Sequence, residues 1–185
     1  NTHSSVVLNY AASTSTNTSY PQANVAIGSA ANKMSYYNSS ANTLLFYGGN
    51  YNVQTVVATL QYSLAAIEAA YPMNLNTSST SAVGGTINVT APLPITSTFV
   101  GTSSVVTDGT GTVNLPGSAS YSNCYRVMTY QNFTLSANGG FITATITQMN
   151  YNYYSPSTFK APLLTISTST ANIAGFGANT QTIVT

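Results

Sequence analysis

Charge is the scarcest property of this chain. Its 185 residues carry 3 Lys or Arg, 2 Asp or Glu and 1 His, so only 3% are charged, where an ordinary globular chain has about 25%. A formal net charge of +1 excludes nucleic-acid binding, which needs several clustered cations to neutralise phosphates. Lys33, Arg126 and Lys160 are scattered along the sequence, so an anionic membrane surface is an equally poor partner. No apolar run approaches the roughly 18 residues of a membrane span. Tryptophan is absent, and the single Cys124 has no partner for an internal disulfide. It reads as a buried structural thiol.

The same scarcity bears on catalysis. Glu68 and Asp108 are the only side-chain carboxylates, whereas a glycosidase needs two flanking one bond. Glu68 reads as a solvated helix position and Asp108 as a turn residue. The lone His3 lies two residues from the start of the chain, a poor place for a Ser-His-Asp base. His3 and Cys124 cannot supply the three or four ligands of a zinc site. No phosphate-cradling glycine motif precedes a helix; Gly84-Gly85 and Gly139-Gly140 read as turns. The chain reads as a non-enzyme with no metal and no cofactor. Acid unfolds proteins mainly by protonating paired carboxylates, so a chain with two of them should be folded at about pH 2 to 3 as well as at neutral pH.

What fills the place of charge is 24 Ser, 29 Thr and 20 Asn, with 14 Tyr, beside a hydrophobic fraction of 43% that is enough for a packed core. Without charge repulsion, solubility must come from elsewhere, and N-linked glycans are the natural candidates. Asn-x-Ser/Thr sequons stand at Asn17, Asn38, Asn76, Asn88 and Asn132. Strand alternation turns Asn88 away from Ile87 and Val89, and turns Asn132 away from Phe133 and Leu135. Asn17, Asn38 and Asn76 lie in polar, loop-like stretches. All five are expected at the surface. The start at Asn1 rather than Met is consistent with a mature product whose leader has been removed.

Along the chain, residues 4–12 read as a strand with Val6, Leu8 and Tyr10 on one face. Residues 13–24 are mostly Ser, Thr, Asn and Ala with one Pro, lack apolar periodicity and read as a tether. Beyond it, residues 25–185 form one domain dominated by strand signals: 43–47, 83–90, 95–106, 124–136, 141–149, 162–168 and 180–185. Asp108-Gly109 reads as a hairpin turn, and Ala137-Asn138-Gly139-Gly140 as another. Val57, Leu60, Leu64, Ile67 and Tyr71 recur at spacings of three and four among alanines, so 55–71 reads as an amphipathic helix ending before Pro72. Many strands with one short helix suggest a two-sheet, immunoglobulin-like sandwich.

An apolar strand held away from its domain by a polar tether can fold back as that domain's first strand. It can equally complete the groove of the next subunit by strand addition, making a head-to-tail contact that propagates into a filament. The second arrangement makes residues 1–12 a donor strand whose pocket-filling side chains are Val6, Leu8 and Tyr10. A different reading rests on Tyr36, Tyr37, Tyr47, Tyr51, Tyr121, Tyr125, Tyr151, Tyr153 and Tyr154, whose rings with neighbouring Asn suit sugar stacking. That reading gives a monomeric secreted carbohydrate-binding module.

The tail Ser4-Ser5-Val6-Val7-Leu8-Asn9-Tyr10, the Ser/Thr/Asn tether, the tyrosine-rich, charge-poor strands and the scattered sequons together resemble the subunit of archaeal thread filaments, surface fibres of the Sulfolobales. The resemblance is one of whole-chain style rather than of a diagnostic motif. It implies a pilin-like β-sandwich, assembly of identical subunits by donor-strand complementation and heavy N-glycosylation. It also implies an extracellular, acid-stable location and a role in adhesion or biofilm.

Overall fold

The computed structural model describes residues 11–14, 17–30, 33–53, 56–91, 94–155, 162–173 and 177–184. Eleven strands follow in chain order: β1 (Ala11–Thr14), β2 (Val25–Ala30), β3 (Lys33–Ser39), β4 (Thr43–Val53), β5 (Val56–Ala70), β6 (Ser78–Ala91), β7 (Ile95–Leu115), β8 (Ala119–Ala137), β9 (Ile142–Tyr154), β10 (Leu164–Ile173) and β11 (Gly177–Val184). They form one antiparallel sheet in which every strand pairs with its neighbours in sequence. The chain is mainly β, as its alternating Val, Ile, Thr and Tyr content dictates.

A single sheet buries one face only by bending back on itself, and the interior contacts show that it does. Asn152 on β9 donates from Nδ2 to Glu68 Oε2 on β5 at 3.4 Å. Four strand steps would separate these residues by about 19 Å in a flat sheet at about 4.8 Å per step. Tyr62 on β5 likewise donates its hydroxyl to Gln131 Oε1 on β8 at 3.0 Å. Strands β4 and β5 therefore face β7 to β9 across a shared interior.

Two apolar clusters fill that interior. One joins Leu44, Ile67, Ala69, Met73, Val105, Val127 and Tyr154. The other joins Phe46, Tyr62, Ala66, Val83, Phe99 and Phe133. Rings run through the second as a relay, Tyr37 to Phe46 at 5.3 Å, Phe46 to Tyr62 at 5.3 Å, Tyr62 to Phe99 at 4.8 Å and Phe99 to Phe133 at 5.2 Å. The relay skips β6. Gly85 stands in register between Tyr62 and Phe99, and its missing side chain lets the two rings meet edge to face.

The helix expected over 55–71 is strand β5. Its three- and four-residue apolar spacing marks no single face, since Val57 and Leu64 are exposed while Ile67 is buried, and strict alternation is broken by β-bulges between Tyr62 and Leu64 against β6 and opposite Leu44 and Leu45 on β4. Each bulge inserts one residue and shifts the alternation. Ala66 and Ala69 are fully buried. The turn expected at Asp108-Gly109 is also absent, since β7 runs straight through to Leu115 and the chain reverses at residues 116–118. The turn at 137–140 lies where the sequence places it, as a short 3₁₀ segment over Asn138–Gly140.

The tether segment is anchored. Ser13 and Thr14 belong to β1, paired with Ala26 and Val25. Tyr20 is 3% exposed, stacks on Tyr36 at 4.1 Å and donates its hydroxyl to the Leu60 carbonyl at 2.9 Å.

Gly85→Ala tests the close approach over β6. A Cβ there would collide with the Gln61 carbonyl and stand 2.9 Å from Phe99 Cε1. The expected loss is about 1–3 kcal/mol by urea unfolding. Gly111→Ala, where a Cβ meets open space, should stay within about 0.5 kcal/mol of the parent.

Candidate assembly site

Among the described residues the sheet has two free edges, β1 and β11, at opposite ends of its strand order. Strand edges carry unpaired N–H and C=O groups that template further pairing. At the first edge, Ala11 pairs with Gly28 and Ala12 with Ile27, so the last two residues of the expected donor segment belong to their own subunit's ladder. Beyond Gly28, β2 has only Ser29 and Ala30 left. The pocket-filling candidates Val6, Leu8 and Tyr10 lie outside the described residues.

At the other edge, β11 pairs with β10 from Ile173↔Gly177 to Ile166↔Val184. Nothing among the described strands covers its second side. Its eight residues span about 27 Å. Threonines dress its outward face, with Thr168 and Thr182 hydroxyls 3.1 Å apart and Thr170 and Thr180 hydroxyls 2.8 Å apart. The edge carries no charged side chain of the kind that commonly blocks edge pairing.

The sequons divide into two groups. Asn76 is an exposed turn residue with φ 65°, a conformation that asparagine tolerates. Asn88 and Asn132 are exposed on strands whose neighbours point inward or are half-buried, as alternation predicts. Asn88 uses only its Oδ1, accepting from Thr96 Oγ1 at 3.1 Å. Asn17 and Asn38 are half-buried, and their amide nitrogens are engaged. Asn17 Nδ2 donates to Tyr36 OH at 2.7 Å, and Asn38 Nδ2 donates to the Gln22 carbonyl at 2.6 Å.

Several tyrosines that could have made a sugar platform instead build the core. Tyr36 and Tyr154 are buried, and Tyr37 and Tyr51 pack against the ring relay. Burial raises the phenol of Tyr20 to about 12 and pushes those of Tyr51, Tyr62 and Tyr154 higher still. Tyr121, Tyr125, Tyr151 and Tyr153 keep partial exposure. Tyr151 lies under the Arg126 guanidinium, 5.1 Å from its carbon to the ring centre.

Both carboxylates occupy β-bulges. Asp108 is the extra residue between Thr107↔Val127 and Gly109↔Arg126, and it binds Arg126 through two oxygens at 2.8 and 3.1 Å. The pair is partly exposed, so its net contribution is under about 1 kcal/mol. Hydrogen bonds to Asp108 and Tyr153 push the Arg126 guanidinium above its ordinary pKa. Glu68 is no solvated helix residue: it is buried at 9% exposure on strand β5. No sequence signal marks this position, because a bulge cannot be read from side-chain types alone.

Among the described residues, Cys124, Glu68 and Asp108 do not gather at one site. Cys124 is a buried free thiol whose Sγ lies 3.2 Å from the Tyr121 carbonyl. Among the described residues no three His, Cys, Asp or Glu gather as a metal site, and no helix is long and apolar enough to cross a membrane. A shallow polar cleft beside Thr110, Gly111, Thr112, Ser122, Asn123 and Tyr125 lies on the β7–β8 ribbon. No family model, curated protein or solved structure matches the chain.

In a glycosylating host, mass spectrometry of site occupancy should rank Asn76, Asn88 and Asn132 above Asn17 and Asn38. Equal occupancy at all five would mean that the Asn17 and Asn38 amides are modified before they are tied down by folding.

Proposed function

We propose that this chain is a non-enzymatic structural subunit of an extracellular filament, polymerising head to tail through its N-terminal strand. The observation that carries the proposal is the mismatch at the β1 edge. Its own β2 offers two residues, Ser29 and Ala30, beyond the last β1 pair, while the segment before Ala11 carries the alternating Val6, Leu8 and Tyr10. Residues 4–10 span about 24 Å when extended, against about 27 Å of open edge on β11. Donor and acceptor are then different surfaces of one chain, which gives an open polymer rather than a closed dimer.

On this reading the curled sheet stands as a pilin-like, immunoglobulin-like sandwich completed by a neighbour's strand. N-linked glycans on the exposed sequons supply the solubility that charge does not. The resemblance to archaeal thread filaments supports the same assembly, the cell-surface location, and a downstream role in adhesion or biofilm. The competing monomeric carbohydrate-binding module is weakened by the tyrosines lost to the core.

The test compares the full chain with one lacking residues 1–10, by size-exclusion chromatography and negative-stain electron microscopy. Fibres from the full chain and monomers from the truncation are expected, with a synthetic 1–10 peptide capping the full chain at short lengths. A monodisperse full-length monomer would place the N-terminal strand in its own fold and favour saturable sugar binding instead.

A further inference from the structure

Between the two apolar clusters lies a layer of buried polar side chains that filament assembly does not use. Glu68 enters it from β5. Ile67 pairs with Leu45 and Ala69 with Leu44, so Glu68 is the extra residue of the bulge, and bulges re-aim side chains. Opposite it, Asn152 donates to Glu68 Oε2 at 3.4 Å and accepts from Thr165 Oγ1 at 2.9 Å, which links β5 through β9 to β10. Ser103, Thr129, Gln131 and Asn150 continue the layer on β7 to β9, all buried. Gln131 is held by the Tyr62 hydroxyl at 3.0 Å.

Among the described residues, no cation acts on the Glu68 carboxyl. The titratable groups that sense Glu68 are the phenols of Tyr51 on β4, Tyr62 on β5 and Tyr154 on β9. Each of these repels a carboxylate if it ionises. Among the described residues the one ion pair is Arg126 with Asp108, at a partly exposed bulge on β7 and β8. The hydroxyls of Ser103 and Thr129 are 0% exposed and have no hydrogen-bond partner. Burying a charge without a counter-charge costs several kcal/mol.

We propose that the layer around Glu68 is an interior proton site: β5 closes on β9 over a neutral Glu68 carboxylic acid, and loss of that proton weakens the fold as pH rises through neutrality. This inference goes beyond filament assembly and stands or falls without it.

Desolvation raises the Glu68 carboxyl from 4.5 to about 7, with the Asn152 hydrogen bond pulling the other way. Below the lower value the folded and unfolded chains are both protonated, and the stabilisation is fully present. Between the two, the unfolded chain releases a proton that the folded chain keeps, so stability falls as pH rises. Above the upper value the loss levels off. The folding equilibrium should therefore be on the order of 100-fold less favourable at about pH 9 than at about pH 4. Acid tolerance thus becomes acid preference.

Two measurements test this on the intact chain. Denaturant unfolding across that pH range should show the loss in the parent and in Asp108→Asn, but not in Glu68→Gln, which keeps a neutral side chain able to bond Asn152. Infrared spectra at about pH 6 should show a protonated-carboxyl C=O band in the parent. The band should persist in Asp108→Asn and vanish in Glu68→Gln. A flat stability profile in the parent, an equal fall in Glu68→Gln, or no such band in the parent would each overturn the proposal.

Discussion

The fold depends on one constraint: a sheet whose eleven strands follow chain order has no second layer to pack against. Its inner face is covered only where the sheet meets itself. The reach from β5 to β9, sealed by Asn152 on Glu68 and by Tyr62 on Gln131, is what converts a ribbon into a body with an interior. The ring relay and the aliphatic cluster lie on either side of that polar seam and supply most of the apolar burial. Removing charge from the sequence makes the arrangement workable. Inward-facing Ser103, Thr129, Asn150 and Asn152 can be buried at the cost of hydrogen bonds rather than of ions.

The two carboxylates the chain retains share a device. Each stands at a bulge, where the extra residue is released from strand alternation. Asp108 turns outward to a bidentate arginine, and Glu68 turns inward to a neutral amide. The same local geometry therefore gives one carboxylate a counter-ion and denies it to the other. That difference, rather than the number of acids, governs how the molecule responds to protons.

Much of the fold is legible in the sequence, and the misses have definite causes. Alternation identified the strands around Asn88 and Asn132, and the Asn138-Gly139-Gly140 turn announced itself by its glycines. It failed in β5, where exposed Val57 and Leu64 fell into a helix-like spacing with Leu60 and Ile67 and the alanines reinforced it. It failed again at Asp108-Gly109, whose hairpin signal is absorbed by a bulge within an unbroken strand. Residues 13–24 read as a tether because their composition is polar. One buried tyrosine, Tyr20 stacked on Tyr36, is enough to fasten such a segment, and no periodicity reveals it. The free edges of β1 and β11 could not be seen at all, since edge position belongs to strand order and not to any residue.

Sequential strand order has a consequence for how the molecule comes into being. Every ladder joins consecutive strands across a short connection, so each pairing step closes a small loop at little entropic cost. All-β folds usually fold slowly because their strand partners are distant in sequence. Here the ladder can zip from one hairpin to the next in the order in which the chain emerges. Among the described residues, the side-chain bonds that close the sheet on itself join β5 to β8 and β9 across 69 residues for Tyr62 with Gln131 and 84 for Glu68 with Asn152, so closing the interior carries a larger loop-closure cost than pairing consecutive strands.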